Sequence, residues 1–184
     1  MFKRYFIRFR FLSAAILIAS TLVSAKITPS EYEVKAVILV NFLKYVTWPT
    51  DAFSNDDAIA IGILGENPFG GIFQALQGQS VAGRRLDVRR FSEFDDKAGL
   101  LQCNLVYIGS SDRKYVRHIL KTLADHSILT VSESNHFVTD GGMISLFTQN
   151  NRIRFDINQQ AATNVGLEIG SELLRNARDV IRKE

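Results

Sequence analysis

Apolar residues at Tyr32, Val34, Val37, Ile38, Val40, Phe42, Leu43, Tyr45 and Val46 leave little of a helical circumference polar. They predict a helix of about fifteen residues, buried on more than one side. Ser30-Glu31-Tyr32-Glu33 has the form of a capping box at its start, and Trp48-Pro49 stops it, because the residue before a proline is pushed out of the helical region. From Ala58 the pattern changes to short apolar runs. Ala58 to Leu64, Leu86 to Phe91, Cys103 to Ile108 and Ser127 to Val131 read as strands. Between them lie a helical pattern at Phe73 and Leu76, an acidic loop from Ser92 to Lys97, and an amphipathic helix from Arg113 to Ala124 with Val116, Ile119, Leu120 and Leu123 on one face. This alternation predicts an α/β fold whose sheet is largely parallel and covered by helices on both faces.

The last third is patterned differently. Met143 to Phe147 and Arg152 to Ile157 flank Gln149-Asn150-Asn151, and Ile153, Phe155 and Ile157 alternate with Arg152, Arg154 and Asp156. An antiparallel hairpin with one core face follows from that alternation. A short helix should begin at Asn158 and break at Gly166. Ser171 to Ile181 reads as a closing amphipathic helix with Leu173, Leu174, Ala177 and Val180 inward and Arg175, Arg178 and Arg182 along its outer side. With no repeat or linker in view, the expected architecture is a single-domain mixed sheet, largely parallel, with an antiparallel hairpin near the C-terminus.

The amino terminus alters the charge balance. Lys3, Arg4, Arg8 and Arg10 precede an apolar run, Phe11 to Val23, and Val23-Ser24-Ala25 offers small residues for cleavage. The run is about thirteen residues, short of the roughly twenty that a spanning helix needs. Residues 1–25 therefore read as a cleaved signal peptide and 26–184 as the exported mature domain. Loss of the leader takes the net charge from +3 to −1, with 18 basic against 19 acidic residues remaining. That balance argues against nucleic acid as a partner. Cys103 is the single cysteine, so no disulfide can form within the chain, and its apolar neighbours predict a packed, unreactive thiol.

Candidate chemistry is sparse. The loop Gly65-Glu66-Asn67-Pro68-Phe69-Gly70-Gly71 lacks the Lys-Ser/Thr ending of a nucleotide loop and reads as a turn. Gly109-Ser110-Ser111-Asp112-Arg113 sits where a hydrolase places its nucleophile, but Arg113 stands at the second glycine position, and a helix cap accounts for Ser110, Ser111 and Asp112. His118, His126 and His136 do not pair at ligand spacing, and Glu133, His136 and Asp140 read as a solvated loop. Arg84, Arg85, Arg89 and Arg90 should divide between two sheet faces, since neighbours on a strand point oppositely. No catalytic residue, metal ligand or cofactor site is expected, and the chain is read as a binding protein.

In order, Tyr32-Glu33-Val34-Lys35-Ala36 through Asn41-Phe42 to Thr47-Trp48-Pro49, Ile63-Leu64-Gly65 with Asn67-Pro68-Phe69-Gly70, Cys103-Asn104-Leu105-Val106-Tyr107-Ile108-Gly109, Gly141-Gly142-Met143-Ile144, Arg154-Phe155-Asp156-Ile157-Asn158 and Leu173-Leu174-Arg175 resemble the YfiR family of periplasmic proteins. The resemblance implies a regulator without catalytic activity that restrains a membrane-bound diguanylate cyclase through its periplasmic region, or a sensor kinase in the same position. It also implies an outer-membrane lipoprotein that relieves the restraint, a homodimer, and control of cyclic di-GMP and biofilm formation. Disulfide-dependent stability goes with the family, and the lone Cys103 departs from it. Arg175, Arg178 and Arg182 are the expected contact residues. A small-molecule sensor, binding in a crevice where the Gly65 and Gly109 loops meet at the strand ends, is the alternative, and a hydrolase using Ser110 or Ser111 is a third reading.

Overall fold

The computed structural model describes residues 29–53, 58–92, 94, 96–110 and 112–182. The predicted leader and Ser111 lie outside them. Helix α1 (Glu31–Tyr45) opens with the expected capping box: Ser30 Oγ accepts from the Glu33 amide and the Glu33 carboxylate accepts from the Ser30 amide. Its buried stripe is Lys35, Ala36, Leu39, Phe42 and Leu43. Val37 and Tyr45 stay exposed, so α1 is an outer layer and not the enclosed helix that its apolar density suggested.

Eight strands form the main sheet in the order β10-β8-β7-β6-β5-β2-β4-β3. At its centre β2 (Ala58–Gly65) pairs in parallel with β4 (Arg84–Phe91) on one side and β5 (Leu105–Gly109) on the other. The parallel set continues through β6 (Leu129–Ser132) to β7 (Ile144–Gln149), and β7 turns back antiparallel into β8 (Arg152–Asn158) through Asn150 and Asn151, both at positive φ. The two-residue β3 (Ser80–Val81) pairs antiparallel with β4. The mixed α/β class and the C-terminal hairpin agree with the hydrophobic pattern.

Helices cover both faces. On one, α1, α2 (Ile72–Leu76), α5 (Gln159–Asn164) and α6 (Ser171–Asn176) close over Ile59, Ile61, Ile63, Leu105, Tyr107, Leu129, Val131, Ile144, Leu146 and Ile157. On the other, α3 (Lys97–Leu100) and α4 (Arg113–Leu123) cover Ala60, Leu64, Phe91, Val106 and Ile108. The inner strands β2 and β5 thus bury alternate residues in two separate cores, which is why their sequences read as nearly continuous apolar runs. A second, two-stranded sheet joins β1 (Val46–Thr47) to β9 (Glu168–Ile169) and fastens the end of α1 beside α6.

The expected helix from Ser171 to Ile181 is not what forms. α6 ends at Asn176, Ala177 is extended, and β10 (Asp179–Ile181) joins the sheet parallel to β8, with Asp179 opposite Asp156 and Val180 opposite Ile157. The Arg178 amide donates to Phe155 O at 2.9 Å, which starts the pairing. Helical spacing loses here because the β8 edge would otherwise expose a row of unpaired backbone groups, and the β-branched Val180 and Ile181 suit a strand better than a helix.

Candidate functional site

From β2 the chain runs to β4 on one flank and then crosses to β5 on the other, so the strand order reverses between β2 and β5. Open α/β sheets hold ligands outside the carboxyl ends of strands at such a point. Here Gly65 and Gly109 stand opposite each other, and the Glu66 amide donates to Gly109 O at 2.9 Å. A Cβ on Gly109 would lie 1.9 Å from Glu66 O, so this close approach requires glycine. The Gly65 and Gly109 loops meet as expected. A crevice of about 170 Å³ opens beside them, lined by Tyr32, Glu66, Pro68, Tyr107, Ser110 and Glu133 among others. On the α4 side of the same loop ends lies a second depression of about 600 Å³, bordered by Phe94, Tyr115 and His118.

Lys35, 1% exposed, is bonded to one residue of the crevice lining, Glu133, and lies against another, Tyr32. Its Nζ is 2.5 Å from Glu31 Oε1 and 2.6 Å from Glu133 Oε2, and it stands 4.6 Å from the centre of the Tyr32 ring. The Tyr107 hydroxyl donates to Glu133 Oε1 at 2.9 Å, and Thr148 Oγ1 donates to Glu31 at 2.7 Å. Burial works against the Lys35 ammonium, but hydrogen bonds to Glu133 and Glu31 outweigh it, and the net shift is upward. Burial, then the neighbouring Glu133 charge, raises the Tyr107 phenol, which therefore stays protonated. The result is a fixed polar network: a cation already satisfied by two carboxylates and a phenol serving as donor.

Sequence reasoning missed this network and read Glu133 as solvated loop. Two signals were present: Lys35 sits in phase with the buried positions Ala36, Leu39 and Phe42, and Glu31 lies four residues earlier, at helical ion-pair spacing. Asp140 is likewise not free, because Arg113 Nε and Nη2 donate to its two oxygens at 2.5 and 2.6 Å and hold its carboxyl below the usual range. His136 stands exposed, at positive φ.

The other sequence candidates fall apart spatially. Arg175, Arg178 and Arg182 do not share a helical side. Arg175 is on α6, where its guanidinium approaches Ser171 Oγ at 3.5 Å, and Arg182 is exposed just beyond β10. Arg178, on the link between them, donates through Nε to Asp156 Oδ1 at 2.9 Å and through Nη2 to Oδ2, and its guanidinium lies 4.2 Å from the centre of the Phe147 ring. It holds the last strand to the hairpin. Arg89 and Arg90 do divide: Arg89 pairs with Asp87, whereas Arg90 donates to Gly70 O and Gln74. Ser110 Oγ accepts the Asp112 amide, and Asp112 in turn caps α4. Cys103 is free and buried, and burial pushes its thiol up to about 12, so a thiolate is scarce at neutral pH. Among the described residues no cluster of His, Cys, Asp and Glu is placed to hold a metal, and no helix is long and apolar enough to cross a membrane.

The fold is a doubly wound α/β domain with a polar crevice at its switch point. More specifically, the chain belongs to the YfiR/HmsC-like family, whose profile matches residues 32–178. Among solved structures it is similar to a conserved domain protein from Vibrio cholerae O1 biovar eltor, at 15% identity and a TM-score of 0.54. That similarity covers 82% of this chain and 60% of the Vibrio chain, and it concerns the fold.

Proposed function

We propose that the mature chain is a periplasmic, non-catalytic regulator that binds and restrains a membrane-bound diguanylate cyclase through that enzyme's periplasmic region, lowering cyclic di-GMP and biofilm formation. The observation that carries this reading is the family match from residue 32 to residue 178, which takes in every strand of the main sheet except the last. An outer-membrane lipoprotein that sequesters the regulator, and a homodimer, belong to the same proposal. Residues 1–25 act as the export signal, and periplasmic protein should begin at Lys26 by mass spectrometry. Arg175 and Arg182 are exposed and are the members of the arginine set free to meet an acidic partner. Deleting the gene should raise cellular cyclic di-GMP, and returning the secreted domain should restore it. Unchanged cyclic di-GMP on deletion would defeat the proposal.

The crevice between the Gly65 and Gly109 loops favours a second reading, a periplasmic small-molecule sensor. At about 170 Å³ it falls below the roughly 300 to 1,000 Å³ of ordinary ligand pockets, so it suits only a very small ligand. A thermal shift produced by one class of small metabolite, lost in Glu133→Gln, would support that reading.

A further inference from the structure

Between α4 and α5, away from the crevice, runs a groove of about 660 Å³. One wall is the solvent side of α4, which from Arg113 to Leu123 holds five basic or imidazole side chains and no acid. Lys114, Arg117 and Lys121 line the groove, and all three are exposed. None of the three has a hydrogen bond or ion pair through its side chain among the described residues. Asp140 is the single carboxylate in the lining, and Arg113 already occupies both its oxygens. Leu123 and Met143 are buried beneath, and the opposite wall is neutral, with Gln160 and Asn164. Gln160 Nε2 donates to Asn164 Oδ1 at 2.5 Å, which leaves the Gln160 carbonyl and the Asn164 amide group able to bond a visiting backbone.

We infer that this groove docks an acidic polypeptide segment of a protein partner, with Lys114, Arg117 and Lys121 as its charge receptors. Three cations without a bonded partner among the described residues, of which only Arg117 also acts on the Asp140 charge, form in a mature chain of net charge −1 a local field opposed to the whole. Such a field acts within about 8 Å at physiological salt, so it selects a partner at contact distance. Seven residues of helix put Lys114 and Lys121 about 10 Å apart. Carboxylates two to four residues apart on an extended chain, at about 3.4 Å per residue, can reach both. A polypeptide is favoured over an anionic bilayer because the charges line a concave groove, and the exposed large apolar residues among the described ones, Val37 and Tyr45, sit on α1 and not at its rim. Peripheral membrane binding needs apolar insertion beside the basic residues. The inference rests on the regulator reading only in taking a protein as partner.

The test uses purified mature protein and a fluorescein-labelled peptide of glutamates, followed by anisotropy, with no cyclase present, so its failure leaves the deletion experiment untouched. The peptide should bind at low salt and weaken steeply as salt rises. K114Q/R117Q/K121Q should weaken binding by about tenfold or more. K114R/R117K/K121R should retain it, and R152Q/R154Q on the hairpin should leave it unchanged. Melting curves should nearly coincide for all variants, since none of the three changed side chains has a hydrogen bond or ion pair among the described residues and Arg117 acts on Asp140 only through its charge; if the glutamine variant is unstable, the charge-retaining variant and single K121Q carry the comparison. No binding by the wild type, equal loss in the hairpin variant, displacement by millimolar inorganic phosphate, or binding to phosphatidylglycerol vesicles without binding to the peptide would each overturn the inference.

Discussion

Nζ of Lys35 lies 2.6 Å from Oε2 of Glu133, tying the first helix to the end of β6 across nearly a hundred residues of chain. The lysine is almost fully buried, whereas the Glu133 side chain keeps 26% of its exposure. Removing one partner of a buried pair costs about 3 to 5 kcal/mol, and the access of Glu133 to water places Lys35→Ala near the lower end. Urea unfolding should show a loss of about 3 kcal/mol. Lys35→Met combined with Glu133→Leu should cost less than the sum of the single changes, because neither partner of that pair is then left charged, and the remaining Glu31 carboxylate is half exposed to water.

The same network sets a pH window. Hydrogen bonds from Glu133 and Glu31 overcome burial and raise Lys35 above 10.5, so its contribution is complete below that value and fades as pH climbs through the higher folded one. The hydrogen bond from Lys35, then that from Thr148, lowers Glu31 below 4.5, so its contribution is present above 4.5 and fades as pH falls through the lower folded value. The difference in melting temperature between wild type and Lys35→Ala should be flat across neutral pH and shrink at both extremes. A difference that peaks sharply near pH 7 would contradict this origin.

Arg178 and Arg175 separate a structural arginine from an exposed one. Arg178→Ala removes both hydrogen bonds to the buried Asp156 and the stacking on Phe147, and should cost about 1 to 3 kcal/mol and loosen β10. Faster hydrogen exchange at Val180 and Ile181 would report that loosening. Arg175→Ala should stay within about 0.5 kcal/mol of wild type.

The contrast shows where the sequence was legible. Strands β2 and β5 were readable because burial on both faces makes them nearly continuous apolar runs, α1 because a capping box opens a dense apolar stretch, and α4 because a capping residue and 3.6-residue periodicity coincide. The end of the chain was not, since Leu173, Leu174, Ala177 and Val180 satisfy a helical pattern while the fate of Val180 depends on an open β8 edge that local sequence cannot reveal. The pairings of β1 with β9 and of β3 with β4 are two residues long and carry no period at all. For the site, the Gly65 and Gly109 loops were placed correctly from strand ends. The Lys35 network was missed because Glu133 is 98 residues from its lysine and reaches it only through the fold.

Trp48 follows the first helix, and its ring is 7% exposed with Phe53 against it in an edge arrangement. Its indole N–H donates to Asn104 O at 3.2 Å, and the Asn104 side chain accepts from the Ala60 amide at 2.8 Å and donates to Ala52 O at 3.1 Å. The turn after α1 is thereby bonded to the starts of β2 and β5, as expected of a buried tryptophan with a polar handle. Trp48→Ala removes a large buried ring and leaves Asn104 O without that donor, so it should cost about 3 to 5 kcal/mol. Trp48→Phe keeps most of the packing and should cost about 1 to 2 kcal/mol, chiefly for the lost hydrogen bond. Because Trp48 is the single tryptophan, its emission reads this site alone: blue-shifted in the native protein and red-shifted together with the loss of far-UV circular dichroism in urea. A solvent-exposed spectrum from the folded protein would show that the turn is not packed on the sheet, and the large cost assigned to Trp48→Ala would fall with it.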